Sequence, residues 1–141
     1  MIRIVTESMS DFTQEEAKAA DLIVMPLPIR FGMEEYWDDG VSLTQDDFYA
    51  RLRVAKELPK TSQVPVEHYR KCFNRLLENP EDEVLVITGS SKLSGCYQSA
   101  CIAREACHDP ARVTVLDSLN ATCAEYMLVD QALRYRREGV R

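Results

Sequence analysis

Small hydroxyl side chains are concentrated in residues 88–99, which read Thr-Gly-Ser-Ser-Lys-Leu-Ser-Gly-Cys-Tyr-Gln-Ser. This segment follows an apolar strand pattern at residues 84–87 and precedes a helical pattern, so the hydroxyl groups lie at a strand-to-helix junction. The first N–H groups of a helix lack partners within the helix and carry a partial positive charge, which favours a bound carboxylate or phosphate. The junction is therefore interpreted as a site for the charged head group of a ligand.

Polar side chains also follow two other predicted strands. Thr6, Glu7 and Ser8 follow the first strand, and Asp117 and Ser118 follow the last. In open α/β sheets, ligands bind beyond the carboxyl ends of the strands, so three polar strand ends indicate one binding edge. Serine, threonine and aspartate are also common helix N-caps, and capping is the more ordinary explanation of each segment taken alone.

A further polar cluster, Lys60-Thr61-Ser62-Gln63-Val64-Pro65, precedes another predicted helix. Taken alone, it is either a turn that caps the helix or a second wall of the ligand site. Most aromatic residues are expected in the core. Phe31 is assigned to the ligand side instead, because it lies beside the predicted carboxyl end of the second strand.

The spacing of apolar residues predicts strands that alternate with helices. The predicted strands are 2–6, 22–31, 83–88 and 112–117, and the predicted helices are 13–20, 44–54, 66–78, 91–107 and 120–138. Pro26 and Pro28 make the second strand irregular or place it at an edge, and residues 33–42 and 59–65 are expected to be loops. This alternation predicts an α/β fold with a mainly parallel sheet of about four strands in a three-layer α/β/α arrangement.

The composition is that of one globular domain. The chain has 141 residues, of which 45% are hydrophobic and 28% charged, and this is enough to bury a core. A formal net charge of −6 argues against nucleic-acid binding. The five cysteines form no spacing typical of a metal site. Their odd number, without a signal-peptide pattern, predicts reduced thiols and a cytoplasmic location, and no apolar run is long enough to predict a membrane span.

Five short motifs are distributed over nearly the whole chain. They are Val5-Thr6-Glu7-Ser8 with Asp11, Asp39-Gly40, Leu58-Pro59-x-Thr61-Ser62-Gln63, Ser90-Ser91-x-Leu93-Ser94-Gly95-x-Tyr97-Gln98-Ser99-Ala100, and Val115-Leu116-Asp117-Ser118. In order and spacing they resemble the DegV family of bacterial lipid-binding proteins. That resemblance is far more specific than any one of the motifs.

The resemblance implies a carrier and not a catalyst. Proteins of this family bind one long-chain fatty acid and hold its carboxyl group with hydroxyl side chains, and some present that group to a kinase subunit that converts it to an acyl phosphate. By motif, Thr61 and Ser94 are the expected head-group contacts, with Ser62, Ser91 and Gly95 beside them in the pocket. The expected ligand is a fatty acid, with no metal and no other cofactor.

The chain departs from the family pattern at several positions. Glu7 stands where the family usually has Asp, Cys96 where it usually has Thr, and Val64-Pro65 follows the Thr-Ser-Gln segment where the family often has Pro directly. Family members are also typically about twice as long and enclose the ligand between two α/β domains. Residues 1–141 are therefore expected to be the N-terminal lipid-binding domain without the second one, with an apolar face that favours self-association.

Three other functions remain open from the residues alone. The first is an enzyme with Ser94 as nucleophile and His68 as base, or with Cys96 as a thiolate nucleophile, although the G-x-S-x-G pattern is missing. The second is a domain that binds a small anion or phosphate, without a P-loop. The third is a short family member that has lost lipid binding. The sequence favours the carrier over all three.

Overall fold

Four parallel strands form the main sheet of the protein, which we describe from a computed structural model over residues 1–140. The strands are β1 (Ile2–Glu7), β2 (Leu22–Met25), β6 (Glu83–Thr88) and β7 (Val113–Asp117), and their order across the sheet is β2-β1-β6-β7. All three neighbouring pairs are parallel. This confirms the predicted α/β class and the predicted parallel sheet of four strands.

Four of the five helices cover the two faces of this sheet. The helices are α1 (Gln14–Ala19), α2 (Gln45–Val54), α3 (Val66–Leu76), α4 (Cys96–Glu105) and α5 (Thr122–Arg137), and α2 lies away from the main sheet. One core packs α3 and α4 against a sheet face that includes Val5 and Val86, and a second core packs α1 and α5 against a face that includes Ile4 and Ile87. Successive residues of a strand point to opposite faces, so apolar residues in a row make β1 and β6 central strands of a three-layer fold.

A second, antiparallel sheet was not predicted. It consists of β3 (Pro28–Phe31), β4 (Glu34–Trp37) and β5 (Lys60–Thr61) in the order β4-β3-β5. The single strand expected over 22–31 is therefore two strands in two sheets. The loops expected over 33–42 and 59–65 each contain a strand.

Local sequence explains this second sheet only in part. Pro28 opens β3, where a missing N–H group is tolerated, and Gly32 takes a φ of +60° in the two-residue turn to β4. Helix α2 lies beside this sheet. The rings of Phe31 and Phe48 are 5.7 Å apart, and Arg51 forms an ion pair of 2.7 Å with Glu34.

Helix α4 begins later than predicted, at Cys96 and not at residue 91. Residues 91–95 form a turn in which the N–H groups of Leu93 and Ser94 both donate to the carbonyl of Ser90, at 2.9 and 3.0 Å. The hydroxyl-rich segment is thus mostly turn and only its end is helix.

Among residues 1–140, no helix combines the length and the apolar composition needed to cross a bilayer.

Candidate functional site

The carboxyl ends of β1, β6 and β7 place three polar residues along one edge of the main sheet. Glu7, Thr88 and Asp117 are the last residues of these strands. The turn from Gly89 to Gly95 leaves this edge and leads into α4. The predicted convergence of polar strand ends is therefore present.

The start of this turn is fixed by hydrogen bonds to the segment that follows β7. The N–H of Ser90 donates to the carbonyl of Asn120 at 2.7 Å, and the N–H of Ser91 donates to Asp117 Oδ1 at 3.1 Å. The same oxygen accepts the N–H of Leu119 at 2.9 Å. Burial raises the pKa of Asp117, but the hydrogen bonds from the Ser91 side chain and from these N–H groups outweigh it and lower the pKa. Asp117 therefore holds the turn as a carboxylate.

The end of the turn forms the start of α4. Gly95 is the N-cap and has no side chain that could accept a hydrogen bond from the first turn. The hydroxyl oxygen of Ser94 instead accepts the N–H of Cys96 at 3.2 Å. Ser94 is half-buried and Ser91 is exposed. The Ser94 hydroxyl also donates to the Cys96 thiol. Because a thiol is a weak acceptor, a bound anion can replace it as the acceptor of this hydrogen bond.

The Thr61-Ser62-Gln63 segment lies directly against this helix start. A Cβ atom added to Gly95 would lie 2.9 Å from Cδ of Gln63, and the buried N–H of Val64 donates to Sγ of Cys96 at 3.4 Å. A side chain at position 95 would therefore displace the end of the Gln63 side chain. The structure thus brings together the two polar segments that the sequence assigned to one head-group site.

Thr61 and Ser62 present their side chains at the exposed rim of this contact. Thr61 of β5 pairs with Ile29 of β3, and the N–H of Ser62 donates to the carbonyl of Pro28 at 3.2 Å. The second sheet therefore holds the segment through its backbone. Both hydroxyl groups remain available for a ligand.

Phe31 lies in a different place from the one predicted. It ends β3 in the antiparallel sheet, whereas the main-sheet strand β2 already ends at Met25, so Phe31 is not at the carboxyl edge. It lines a surface groove of about 450 Å³ together with Gly32, Arg51, Val54, Ala55, Lys56 and Glu57. The expectation of an apolar ligand contact at Phe31 rests on this groove and no longer on its strand end.

In the part of the chain that the structure describes, the candidate nucleophile Ser94 and the candidate base His68 form no hydrogen bond with each other. His68 packs its ring against Trp37, with the ring centroids 5.1 Å apart. Burial raises the pKa of the Cys96 thiol, although hydrogen bonds from Ser94 and from the N–H of Val64 oppose this. A thiol with a raised pKa is a poor nucleophile near neutral pH. Within residues 1–140, no three His, Cys, Asp or Glu side chains form a group suited to a metal ion.

A pair of buried carboxyl groups beneath this edge was missed by the sequence analysis. Glu7 Oε1 accepts the N–H of Gly89 at 2.6 Å, and Glu125 Oε1 accepts the hydroxyl of Thr6 at 3.2 Å. Burial and then the charge of Glu7 raise the pKa of Glu125 to about 9. One signal was available, because Glu125 precedes the buried Val129 of α5 by one helical repeat and so lies on its apolar face.

The whole chain matches one protein family. A family model described as "Uncharacterised protein, DegV family" matches residues 1–141. A DegV domain-containing protein from Caldanaerobacter subterraneus subsp. tengcongensis is 39% identical over 138 residues, which are 98% of this chain and 48% of that protein. A protein from Thermotoga maritima named "Fatty acid-binding protein" is 35% identical over 130 residues, which are 87% of this chain and 42% of that protein.

Solved structures are similar over the same extent. A stearic-acid-binding protein from Eubacterium ventriosum gives a TM-score of 0.91 at 31% identity and covers 100% of this chain and 49% of its own. A fatty-acid-binding DegV family protein from Thermus thermophilus gives a TM-score of 0.88 at 32% identity, and the match covers 99% of this chain and 49% of that protein. The chain therefore spans about half the length of the relatives that it matches.

Proposed function

The chain belongs to the DegV family, and from this premise we propose that its hydroxyl-lined turn binds the carboxylate of a long-chain fatty acid. Thr61 and Ser94 are the head-group donors in this proposal, with Ser62 and Gly95 beside them. Two similar proteins are described as binders of fatty acids, one of them of stearic acid. The proposed role is that of a carrier and not of a catalyst.

One observation carries the proposal, namely the contact between the Thr61 segment and the start of α4. Gln63 lies against Gly95, and Val64 is bonded to Cys96. Two hydroxyl-bearing segments that are distant in the sequence are thereby fixed side by side at a rim open to solvent. A helix N-terminus without a side-chain cap completes the set of donors.

The chemistry of this set suits a carboxylate. A carboxylate removed from water needs several hydrogen bonds, and leaving it unpaired would cost several kcal/mol. The hydroxyl of Ser94 can donate to a carboxylate, because the Cys96 thiol to which it otherwise donates is a weak acceptor. Ser91 is committed to Asp117 through its N–H. We therefore assign Ser91 the role of holding the turn beside the ligand, with Thr61 and Ser94 as the direct donors.

The acyl chain needs an apolar surface and no specific donors. Each methylene group that leaves water contributes roughly 0.8 kcal/mol. The groove beside Phe31 offers such a surface through the side chains of Val54 and Ala55 and the aliphatic stems of Arg51 and Lys56. We propose that part of the acyl chain lies there.

The proposal includes self-association, which would cover the exposed apolar side of the site. Leu93 and Leu119 flank the carboxyl edge and are 71% and 64% exposed, so a lone copy of this chain presents apolar surface there. We propose that residues 1–141 act as a lipid-binding domain and that a lone copy self-associates and retains ligand weakly.

The proposal also includes a kinase subunit as a partner. The exposed hydroxyl groups of Thr61 and Ser62 leave the head group open to this subunit. Five free cysteines fit a cytoplasmic location for this step.

The test is solvent extraction of the purified protein followed by mass spectrometry of the acyl chains. The wild-type protein is compared with the double variant Thr61→Ala/Ser94→Ala and with Thr114→Ala, which removes an exposed hydroxyl of β7 away from the carboxyl edge. We expect the wild-type and control proteins to carry a long-chain fatty acid, either as purified or after stearate is added, and we expect the double variant to lose it.

Two other results would contradict the proposal. Equal amounts of fatty acid in all three proteins would place the carboxylate elsewhere. Protein without any acyl chain, which also fails to bind added stearate, would mean that this chain has lost lipid binding. Saturable binding of inorganic phosphate by that empty protein would favour a small-anion site instead.

A further inference from the structure

Two glutamate side chains lie buried beneath the carboxyl edge, outside the hydroxyl site. Glu7 ends β1 and Glu125 lies in the first turn of α5, and each is 0% exposed. Buried carboxylates are normally paired with a cation or with several donors. Among residues 1–140, neither of these two forms an ion pair.

The two carboxyl groups converge on the first residue of the ligand-site turn. A Cβ atom added to Gly89 would lie 2.9 Å from Glu7 Oε1 and 3.2 Å from Glu125 Oε2. The space that a side chain would fill at position 89 is occupied by these carboxyl oxygens and by Sδ of Met9, which would lie 2.6 Å from the added Cβ atom. Gly89 also donates its N–H to Glu7 Oε1 at 2.6 Å, so the pair and the turn are in direct contact.

Counting donors shows where a proton is required. Glu7 accepts from the N–H of Gly89 and, at the long distance of 3.5 Å, from the hydroxyl of Tyr69. Glu125 Oε1 accepts from Thr6 at 3.2 Å. Glu125 Oε2 is buried and has no partner among residues 1–140. Two adjacent carboxylates without a cation would repel each other in a site of low dielectric constant.

We propose that Glu7 and Glu125 hold one proton between them, with Glu125 as the carboxylic acid that donates through Oε2 to the carboxylate of Glu7. This acid pair ties β1 to α5 and fixes Gly89 at the base of the turn that carries Ser91 and Ser94. A protonated Glu125 uses both of its oxygens, and an ionised Glu7 uses both of its own. Every polar atom of the pair then has a partner.

The electrostatic surroundings support this assignment. Burial raises the pKa of both glutamates, and that of Glu125 reaches about 9. The other titratable groups that face the pair are Tyr69 on α3, Cys96 on α4 and Asp11 after β1. Burial raises the pKa of the Tyr69 hydroxyl and of the Cys96 thiol, so both stay neutral at pH 7. None of the three supplies a positive charge.

The assignment makes the two glutamates unequal. Glutamine at position 125 can accept from Thr6 through its oxygen and donate to Glu7 through its amide, so Glu125→Gln replaces the carboxylic acid isosterically. Glutamine at position 7 has only one acceptor for the two donors of Gly89 and Tyr69. We therefore expect Glu125→Gln to keep the stability of the protein near neutral pH and Glu7→Gln to lower it.

The shared proton also makes stability depend on pH. The ordinary pKa of a glutamate is 4.5, and that of Glu125 is raised to about 9 in the folded protein. Between these values the folded chain holds one proton more than the unfolded chain. Unfolding then releases a proton, so its equilibrium constant rises about tenfold per pH unit and levels off above the raised pKa.

The test is urea unfolding between about pH 6 and about pH 8 for the wild type, Glu125→Gln, Glu7→Gln and Glu138→Gln, the last being an exposed control at the end of α5. We expect the unfolding constant of the wild type and the control to rise about 100-fold more across this range than that of Glu125→Gln. Parallel profiles for all four proteins, or a stable Glu7→Gln beside an unstable Glu125→Gln, would overturn the proposal.

A measurement on the wild-type protein guards against variants that fail to fold. With ¹³C in the glutamate carboxyl groups, NMR should show one buried carboxyl that titrates near pH 9 and another that stays ionised at neutral pH. Two carboxylates already ionised at pH 6 would overturn the proposal. A further expectation, that the wild type but not Glu125→Gln releases bound stearate at high pH, rests on the proposed function. The unfolding profiles need no ligand and test the acid pair independently of it.

Discussion

In the outer layer of the carboxyl edge, Thr61 and Ser94 offer hydroxyl groups to the solvent side, whereas in the inner layer Glu7 and Glu125 are carboxyl groups shut away from it. The outer layer presents hydrogen-bond donors. The inner layer has acceptors and needs one proton. Gly89 lies between the two layers. Its N–H donates to Glu7 in the inner layer, and the turn that it begins leads to Ser94 in the outer layer.

This difference shows how one strand end can serve two purposes. A layer that binds a ligand must leave donors free and can lose one of them without unfolding. A buried layer must satisfy every group, and a substitution that leaves one unpaired lowers the stability of the fold. Substitutions in the outer layer should therefore change affinity, and substitutions that remove a hydrogen-bond partner from the inner layer should change stability.

The strongest way to break the distinction is Gly89→Ala. The added methyl group would lie 2.6 Å from Sδ of Met9 and 2.9 Å from Oε1 of Glu7. Because Glu7 is held from several sides, we expect the free energy of unfolding to fall by about 3 kcal/mol. Urea unfolding measures this loss. Gly32→Ala provides the control, since a Cβ atom there meets nothing within 4 Å and only the strain of its positive φ is tested.

Ser94→Ala sharpens the comparison from the outer side. It removes one hydrogen bond to a charged head group, and we expect affinity for stearate to fall about tenfold, or about 1.5 kcal/mol. The free energy of unfolding should change by much less, because Ser94 is only half-buried. Calorimetric titration with stearate and urea unfolding give the two quantities. A loss of stability as large as the loss of affinity would contradict the division into layers.

Tyr69→Phe tests the inner layer with a smaller change. It removes the hydroxyl that donates to Glu7 at 3.5 Å and keeps the buried ring. We expect the free energy of unfolding to fall by about 1 kcal/mol. Loss of this donor also raises the pKa of Glu7, since a hydrogen bond to its charged form is gone. An unchanged unfolding curve would show that the long Tyr69 bond contributes nothing.

Phe31→Ala is expected to have the smallest effect on binding. The side chain is half-buried and lines only one side of the groove, so we expect affinity for stearate to fall about threefold, or about 0.6 kcal/mol. Replacing Tyr49, an exposed aromatic residue of α2 that does not line this groove, with Ala serves as the matched control. Equal affinities for both variants and the wild type would remove Phe31 from the site.

The sequence was sufficient where apolar patterns were strong and local. The central strands of the main sheet carry continuous apolar runs, such as Val84 to Ile87, and their positions in the sequence and parallel pairing were predicted. Strand β4 was not, because Glu34-Glu35-Tyr36-Trp37 shows no apolar alternation and pairs only once β3 is in place. The late start of α4 depends on the bonds that Ser90 accepts, which no propensity describes.

The two layers of the site were predicted unequally for the same reason. Family resemblance, and not spacing, placed Thr61 beside Ser94, and the structure brings their segments together. No such pattern linked Glu7 to Glu125, which come from the two ends of the chain. Each is explained alone as an ordinary polar residue, and only the folded chain shows both against Gly89.

The most direct test of the head-group site is NMR of stearate labelled with ¹³C at its carboxyl carbon, added to the wild-type protein and to Thr61→Ala/Ser94→Ala. Because hydrogen bonds stabilise the ionised form, we predict one bound carboxyl signal in the wild type, with a titration midpoint below that of the same carboxyl in water. The double variant should lose this signal or raise its midpoint. A bound signal that titrates identically in both proteins would contradict the assignment of the carboxylate to these hydroxyl groups.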